Sequence, residues 1–206
     1  AGWIHSDTPL IEVPPAEPTA LDRRIAEHVA ARIGHGSTVQ TGIGAIPNAI
    51  LAALKDHRGL GIHTELLSDG VINLIESGAV TGARKRLNRT KTIGAFALGT
   101  RALYDFIADN PAVEFWPATY VNDPRRIGTE PNFVSVNATV EIDLLGQCAS
   151  ETIGGHYWSS SGGQADFARG AMYPEGGQAF IVCRSTTEDG SISKIVPGFQ
   201  PGTVVT

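Results

Sequence analysis

Apolar residues near the start of the chain recur at the spacing of a helix and predict the first regular element. They stand four residues apart, at Leu21, Ile25, Val29 and Ile33. Thr19, followed three residues later by Asp22, forms a weak capping box that predicts where this helix begins. Gly34 is typical of a helix end. The stripe therefore predicts a helix that packs against a sheet.

The rest of the chain alternates between short apolar strands and helical segments. Strands are predicted at 38–41, 61–65, 92–97, 113–121, 133–140, 178–185 and 193–196. Helices are predicted at 47–55, 69–77, 100–108 and 123–127. This alternation indicates a single α/β domain, in which an open and mainly parallel sheet is flanked by helices. A glycine- and serine-rich segment at 154–163 interrupts the order, and such a segment inside a domain is more often functional than idle.

Composition and charge narrow the class of partner. The 206 residues carry 16 Lys and Arg against 21 Asp and Glu, a net charge of −5. This acidic balance argues against nucleic acid and acidic membrane surfaces as partners. No apolar run approaches the roughly 18 residues needed to cross a bilayer, and residues 1–6 lack the features of a signal peptide. We therefore expect a cytoplasmic protein, with the proline-rich residues 1–18 as a linker or extended arm.

The two cysteines do not suggest a metal site. Cys148 and Cys183 stand outside any Cys-x-x-Cys or Cys/His cluster, so a structural zinc ion is not supported. In a reducing compartment we expect both to be free thiols, not bonded to each other and without a catalytic part.

The first candidate site lies directly after the strand predicted at 38–41. It is a candidate because ligands of open α/β sheets bind beyond the carboxyl ends of the strands. In TGIGAIPNAI, at 41–50, Gly42 and Gly44 let the backbone approach a ligand, and Pro47 opens a helix whose free amides attract anions. The segment lacks the third glycine of the dinucleotide fingerprint and the Gly-Lys-Ser/Thr of the P-loop. On its own it fits a structural turn as well as a binding site.

A second group of polar candidates lies in GIHTELLSDG, at 61–70. Glu65 ends a short apolar strand, which would place its carboxylate at the sheet edge, although an isolated Glu there is more often a surface acid. His63 faces the same side as Glu65, but a lone strand histidine is more often a hydrogen-bonded packing residue than a base. Ser68 is the predicted cap of the next helix, and Asp69 is interpreted as an acid of its first turn.

Two further segments place polar or glycine residues at predicted turns. YVNDPRRIG, at 120–128, is predicted to turn at Asn122. Asparagine is a usual turn residue, so turn chemistry alone explains its presence there. SSSGGQADFARGA, at 159–171, contains Gly162 and Gly163, which could aim backbone amides at a developing negative charge. A flexible glycine loop explains this segment equally well.

Taken together, four segments in series resemble one known family. They are LGIHTELLSDGVINLIESGAVTG, YVNDPRRIG, SVNATVEIDLLGQCASETIGG and GGQADFARGA. In this order they are similar to the C-terminal catalytic domain of the acetyl-CoA hydrolase and 4-hydroxybutyrate CoA-transferase family. The resemblance implies the CoA-transferase fold, coenzyme A as a substrate, and no metal or redox cofactor.

The resemblance also implies roles for particular residues. Glu65, within HTEL, matches the family's nucleophile, which attacks an acyl-CoA thioester and becomes a glutamyl-CoA thioester. Asn122 matches the polar group that orients the glutamate or the acyl oxygen. Gly163, with Gly162 beside it, matches a backbone donor to the oxyanion.

The glycine turn is similar to the one near the family's CoA site. Gly42 and Gly44 match it, and Ala45 stands where the family usually has glycine, which is a small departure. We therefore expect Gly42, Gly44, Ala45 and Gly162 to contact CoA or the substrate.

Larger departures concern the extent of the chain. Family members carry a preceding domain of similar fold that closes over the cleft, and they continue beyond residue 206. By this resemblance residues 19–198 are the C-terminal catalytic domain and 199–206 a truncated tail, with the N-terminal domain absent. We expect a homo-oligomer, or association with that missing domain.

The expected function is transfer of CoA between an acyl-CoA, such as acetyl-CoA, and a carboxylic acid such as 4-hydroxybutyrate. Hydrolysis of acetyl-CoA is an alternative that differs only in whether water intercepts the acyl-enzyme or the glutamyl-CoA. Another alternative is a non-catalytic CoA-binding half that requires a partner domain. A Rossmann dehydrogenase is a poorer choice, because the third glycine and the acidic ribose partner are not evident.

Overall fold

The computed structural model describes residues 4–206, so residues 1–3 of the predicted arm lie outside the described part. Helices and short strands alternate along it, as the sequence predicts. The helices are α1 Ala20–Ala30, α2 Ala45–Ala53, α3 Gly70–Glu76, α4 Arg101–Ile107, α5 Ala118–Val121, α6 Pro124–Ile127 and α7 Gln164–Ala171. The strands are β1 Thr38–Thr41, β2 Gly61–Ile62, β3 Leu66–Leu67, β4 Thr92–Gly94, β5 Phe96–Ala97, β6 Val113–Phe115, β7 Phe133–Ala138, β8 Glu141–Asp143, β9 Cys148–Ala149, β10 Thr152–Ile153, β11 His156–Tyr157, β12 Gln178–Val182 and β13 Ile195–Val196.

Four parallel strands form the central sheet, in the order β12-β7-β1-β2. Thr38 of β1 lies opposite Gly61 on one side and Phe133 on the other, so these three strands start at the same edge. The short pairs β3-β5 and β4-β6 are parallel as well. The prediction of an α/β domain with an open, mainly parallel sheet is confirmed.

Alternate residues of the sheet pack into two separate apolar cores. Val134 and Val136 lie in the larger core, with apolar residues of α1, α2 and α3. Phe133 lies in the smaller core, with Ile127 of α6 and Phe167 of α7. Because successive side chains of a strand point to opposite faces, helices cover this sheet on both sides.

The capping box predicted for α1 is present. Asp22 N donates to Thr19 Oγ1 at 3.3 Å, and Thr19 N donates to the Asp22 carboxylate at 2.9 Å. The predicted stripe is only partly buried, because Leu21 is 44% exposed whereas Ile33 lies in the larger core. Asp22 is buried instead, and hydrogen bonds from Arg184, reinforced by those from Thr19, lower its pKa to about 2.

Three predicted strands differ in the structure. The strand predicted at 113–121 is β6 followed by the short helix α5. Pro117, the N-cap residue of α5, explains the change because proline has no N–H for a sheet and its fixed φ suits a helix start. The strands predicted at 61–65 and 92–97 are each divided in two, as β2 with β3 and β4 with β5.

Asp69 has a different structural role from the one predicted. It is the N-cap residue of α3, where Ser68 is predicted, but its side chain makes no capping hydrogen bond. Instead the carboxylate accepts hydrogen bonds from the backbone N and the hydroxyl of Thr100, the N-cap residue of α4. Asp69 therefore joins the starts of two helices rather than stabilising its own first turn.

The glycine- and serine-rich segment contains regular structure. Gly154 and Gly155, with φ of +57° and +81°, form the turn of the hairpin β10-β11, and glycine adopts such angles without strain. Helix α7 follows and was not among the predicted helices. Phe167 and Ala171, four residues apart and both buried, are the helical signal for it.

The two ends of the described chain contact the domain. Residues 4–18 contain no helix or strand, yet Tyr104 of α4 donates a hydrogen bond to Ile11 O at 2.7 Å. At the other end, Thr206 N donates to Cys148 O of β9 at 2.9 Å, so the last eight residues are tied back to the domain. No helix within residues 4–206 is long and apolar enough to cross a membrane.

Cys148 and Cys183 are free and half-buried. Burial raises the pKa of both thiols. A raised pKa lowers the thiolate fraction, so neither environment favours a nucleophilic cysteine.

Candidate active site

Glu65 stands at the carboxyl edge of the sheet, between β2 and β3. Its backbone is fixed, because its carbonyl accepts hydrogen bonds from Ala95 N at 2.8 Å and Phe96 N at 3.1 Å. The preceding residue, Thr64, is buried and donates its hydroxyl to Thr41 O at 3.0 Å. The Glu65 side chain is only half-buried. A firmly held strand end therefore presents a carboxylate at the edge where ligands of such sheets collect.

Asn122 lies at the junction of two short helices. Its N–H donates to Ala118 O at 2.8 Å and closes α5, and the next residue, Asp123, caps α6 by accepting from Arg125 N at 3.0 Å. The oxygen of its side-chain amide, Oδ1, is buried without a hydrogen-bond partner. An unpaired buried polar atom is costly in a folded protein, which makes it a candidate for contact with a bound group.

Gly163 brings these two side chains together. A Cβ atom placed on Gly163 would lie 2.5 Å from Glu65 Oε2 and 2.8 Å from Asn122 Nδ2. Real Cβ atoms do not approach other atoms so closely, so with any larger residue here the ends of these two side chains would have to move. Residues from three distant parts of the sequence therefore meet at one point.

The start of α7 gives this point a favourable electrostatic environment for an anion. Gly163 is the N-cap residue of α7, and no side chain caps the helix. The backbone amides of the first turn have no intrahelical partner, as in any α-helix, and here no side chain of the N-cap residue accepts from them. The positive end of the helix dipole lies beside the Glu65 carboxylate. Backbone donors at such a position can also stabilise an oxyanion.

The predicted glycine turn lines a different part of the sheet edge from this cluster. Gly44, with φ of +117°, is the N-cap residue of α2, and Ala45 begins that helix. This turn lines a separate cavity of about 220 Å³ together with Arg184 and Lys194. Gly42 follows Thr41, whose carbonyl is bonded to Thr64, so the turn shares the sheet edge with Glu65.

Gly162 is exposed on the loop before Gly163. A Cβ atom placed on it would meet nothing within 4 Å, but its φ of +53° favours glycine. The structure thus gives Gly162 a conformational reason to be glycine.

Two polar features of the site were not singled out as functional in the sequence. Gln40, Ser135 and Asn137 form a buried hydrogen-bonded network beneath the glycine turn, with Ser135 Oγ donating to Gln40 Oε1 at 2.7 Å. The sequence signal for this network is the presence of polar residues at alternating positions of central strands.

His63 is interpreted from the sequence as a hydrogen-bonded packing residue. It is 1% exposed and hydrogen-bonded to Val121 O at 2.8 Å, which confirms that interpretation.

Groups of three or more His, Cys, Asp or Glu side chains that could hold a metal ion are not found among residues 4–206. The chemistry of the cluster is that of a carboxylate, an amide and backbone N–H groups.

The sequence matches a known protein family and several characterised relatives. Residues 99–206 match the acetyl-CoA hydrolase/transferase C-terminal domain. The chain is 47% identical to the succinyl-CoA:cyclohexane-1-carboxylate CoA transferase of Geobacter metallireducens, over 98% of this chain and 46% of that protein. It is 42% identical to the 4-hydroxybutyrate coenzyme A transferase of Clostridium kluyveri, over 98% of this chain and 47% of that protein.

Solved structures agree with these matches. RipA from Yersinia pestis superposes with a TM-score of 0.91 at 41% identity, over 97% of this chain and 45% of that one. The 4-hydroxybutyrate CoA-transferase from Porphyromonas gingivalis gives a TM-score of 0.84 at 39% identity, over 94% of this chain and 46% of that one.

The chain thus has the fold of RipA and of the 4-hydroxybutyrate CoA-transferase from Porphyromonas gingivalis. The chain belongs to the acetyl-CoA hydrolase/transferase family. It spans a little under half the length of these relatives.

Proposed function

We propose that this protein is a CoA-transferase in which Glu65 is the covalent nucleophile. The observation that carries the proposal is the convergence of Glu65 and Asn122 on Gly163, at the uncapped start of α7. This places a carboxylate, an amide and backbone donors around one point, as acyl transfer requires. Membership of the family supports the same reaction class.

In the first half-reaction, the Glu65 carboxylate attacks the thioester carbonyl of an acyl-CoA. The tetrahedral intermediate expels CoA as a thiolate, which leaves a mixed anhydride between the acyl group and Glu65. The thiolate then attacks the Glu65 carbonyl and expels the free carboxylate. The enzyme is left as a glutamyl-CoA thioester. Only atoms of the substrate and of Glu65 take part in these bond changes.

In the second half-reaction, another carboxylate attacks the glutamyl-CoA thioester. The same two steps in reverse produce a new acyl-CoA and restore the Glu65 carboxylate. Each tetrahedral intermediate carries an oxyanion, for which the Gly163 backbone and the Asn122 amide are the proposed donors. A well-placed donor of this kind contributes about 3 to 4 kcal/mol to transition-state stabilisation. The scheme requires no metal or redox cofactor.

The proposed substrates are a short acyl-CoA, such as acetyl-CoA, and a carboxylic acid, such as 4-hydroxybutyrate. The relatives support this class because their names pair CoA with small carboxylates, including 4-hydroxybutyrate and acetate. We propose that Gly42, Gly44, Ala45 and Gly162 contribute to binding CoA, since the glycine turn shares the sheet edge with Glu65.

We further propose that activity needs a preceding domain or another copy of the chain to complete the cleft. The half-buried Glu65 carboxylate and the greater length of the relatives support this assembly.

We also propose a cytoplasmic location. The two free thiols, both with raised pKa, are compatible with that location.

Hydrolysis of acetyl-CoA is the second candidate, and the partial exposure of Glu65 favours it. Water that attacked the anhydride would release the acid, and water that attacked the glutamyl-CoA thioester would release CoA, so that either attack completes hydrolysis. A relative named acetyl-CoA hydrolase, from Kluyveromyces lactis, is 27% identical to this chain. A non-catalytic CoA-binding half remains the third.

Incubation with acetyl-CoA and an isotopically labelled carboxylate tests all three. Label in the CoA ester means transfer, release of acetate without label exchange means hydrolysis, and binding without either product means a CoA-binding half. Glu65→Gln is the matched negative control, because it keeps the shape of the side chain but removes the nucleophile. Transfer at the wild-type rate in that variant would contradict the proposal.

A further inference from the structure

His63 is buried next to the proposed active site and contacts none of the reacting groups described above. It lies two residues before Glu65, and its backbone is held by a parallel bridge to Ile93 and by a 3.2 Å hydrogen bond from His63 N to Val39 O. Its side chain is among the largest that are fully buried in residues 4–206. Burying a polar ring has a cost that calls for a compensating partner.

The partner is the carbonyl of Val121. His63 Nε2 lies 2.8 Å from Val121 O, and a carbonyl only accepts, so the imidazole carries its proton on Nε2. Val121 is the last residue of α5, a helix of four residues whose final carbonyls lack intrahelical partners. The imidazole therefore supplies a tertiary cap at the end of α5, directly before Asn122.

The ring also contacts the helix that carries Gly163. It meets Phe167 edge-on, with centroids 6.4 Å apart, and Phe133 in the same way at 6.0 Å. Phe167 N donates to Gly163 O at 3.0 Å, so Phe167 lies in the turn that Gly163 opens. One imidazole thus touches the segments that hold Glu65, Asn122 and Gly163.

We infer that His63 is a positioning residue, whose hydrogen bond to Val121 O sets the Asn122 amide against Glu65 and Gly163. This inference rests on the proposed function, because positioning matters only if that cluster performs the chemistry. Desolvation lowers the pKa of His63 to about 4, so the ring is neutral near pH 7 and acts as a hydrogen-bond donor rather than an acid.

Two substitutions separate the hydrogen bond from the filling of space. His63→Gln keeps an N–H near the position of Nε2, whereas His63→Leu fills a similar volume without a donor. Leu74→Val, in the larger core on the opposite face, is the control for a general loss of stability.

The first readout needs no catalysis. In nuclear magnetic resonance spectra of the isotopically labelled chain, we expect His63→Leu to shift the Asn122 side-chain amide signals. Exchange of the Asn122 backbone N–H, which closes α5, should accelerate roughly tenfold or more. His63→Gln should resemble the wild type, and so should Leu74→Val. If the Leu variant matched the wild type, or the Gln and Leu variants changed alike, the inference would be wrong.

The second readout is kinetic and uses the preparation in which the wild type transfers CoA. We expect kcat of His63→Leu to fall roughly 100-fold, since a misplacement of about 1 Å has that effect, with KM for acyl-CoA within about threefold. His63→Gln should recover most of kcat. A merely structural role would instead lower the folded fraction while the turnover of each folded molecule stayed constant. If the wild type transferred no CoA, the proposed function would be wrong. The spectra would still show whether the hydrogen bond of His63 positions the Asn122 amide.

Discussion

Gly163 and Glu65 are so closely packed that a single added methyl group at Gly163 would overlap the carboxylate. The added Cβ would stand 2.5 Å from Glu65 Oε2. The backbone of α7 thereby limits where the carboxylate can lie, although the two residues are almost a hundred positions apart in sequence. A contact this close makes the cluster sensitive to the smallest possible change of side chain.

Gly163→Ala should abolish most transfer activity while the protein stays folded. The atoms in the way are the ends of the Glu65 and Asn122 side chains, which can move without unfolding the domain, but their displacement disrupts the reacting geometry. We expect kcat/KM to fall about 100-fold or more. Gly198→Ala is the matched control, because a Cβ atom there meets nothing within 4 Å and no positive φ is needed. Equal activity of both variants would contradict the role of Gly163.

Glu65→Gln should lower turnover by orders of magnitude and leave acyl-CoA binding intact. The amide is isosteric but is not a nucleophile. Glu65→Asp should also be severely damaging, because it retracts the carboxylate by one methylene and attack needs contact near ~3 Å. Rates and calorimetric affinities of both variants check this, with Glu141→Gln as the control carboxylate.

Borohydride should trap the covalent intermediate on Glu65. Reduction of a glutamyl-CoA thioester yields an alcohol, a loss of about 14 Da from the peptide that contains Glu65. Peptide mass spectrometry after charging with acyl-CoA measures this change. Reduction at Glu141, or at no carboxylate, would refute the assignment of the nucleophile.

The sequence predicted the class of fold more successfully than the helix that brings Gly163 to Glu65. The parallel sheet follows from alternating strands and helices, a local pattern that is readable along the chain. The contact of Gly163 with Glu65 depends on where α7 packs, and that helix was not predicted. Its helical signal, Phe167 and Ala171, lies directly after a glycine- and serine-rich stretch that suggests a loop.

On α1 the structure buries Asp22 and leaves Leu21 exposed, against the prediction from the apolar stripe, and the cause is again a tertiary contact. Four-residue spacing predicts the stripe, but no local pattern indicates that Arg184 lies opposite Asp22 and forms an ion pair with it. Pairing with a residue so distant in sequence is a tertiary effect. Local periodicity cannot report it, and it decides which residue is buried.

Asp22→Asn should destabilise the fold by about 2 to 3 kcal/mol. The Asp22 side chain is fully buried whereas Arg184 is 24% exposed, so the loss should be somewhat below the value for a fully buried pair. Urea unfolding at pH 7 measures the change. Asp105→Asn is the control, because its pair with Arg101 is largely exposed and should contribute little to stability. Equal losses in the two variants would contradict the importance of burial for the Asp22 pair.

Stability should rise with pH between about 4 and 6.5 because of His63. Burial lowers the pKa of this imidazole to about 4 from its ordinary 6.5, so in that range the unfolded chain binds a proton that the folded protein does not. The stabilisation is fully present above the unfolded pKa and is lost as the pH falls toward 4. Its upper limit is on the order of 3 kcal/mol.

Urea unfolding of the wild type and of His63→Gln at several pH values between 4.5 and 7 isolates this contribution. The two proteins share all other titrating groups. The pH dependence of the difference between their unfolding free energies should therefore report the titration of His63 alone. The wild type should lose stability relative to the Gln variant as the pH falls, because glutamine cannot take up the proton. A difference that stayed constant from pH 7 to 4.5 would mean that His63 titrates alike in the folded and unfolded states, and its burial would then have no electrostatic consequence.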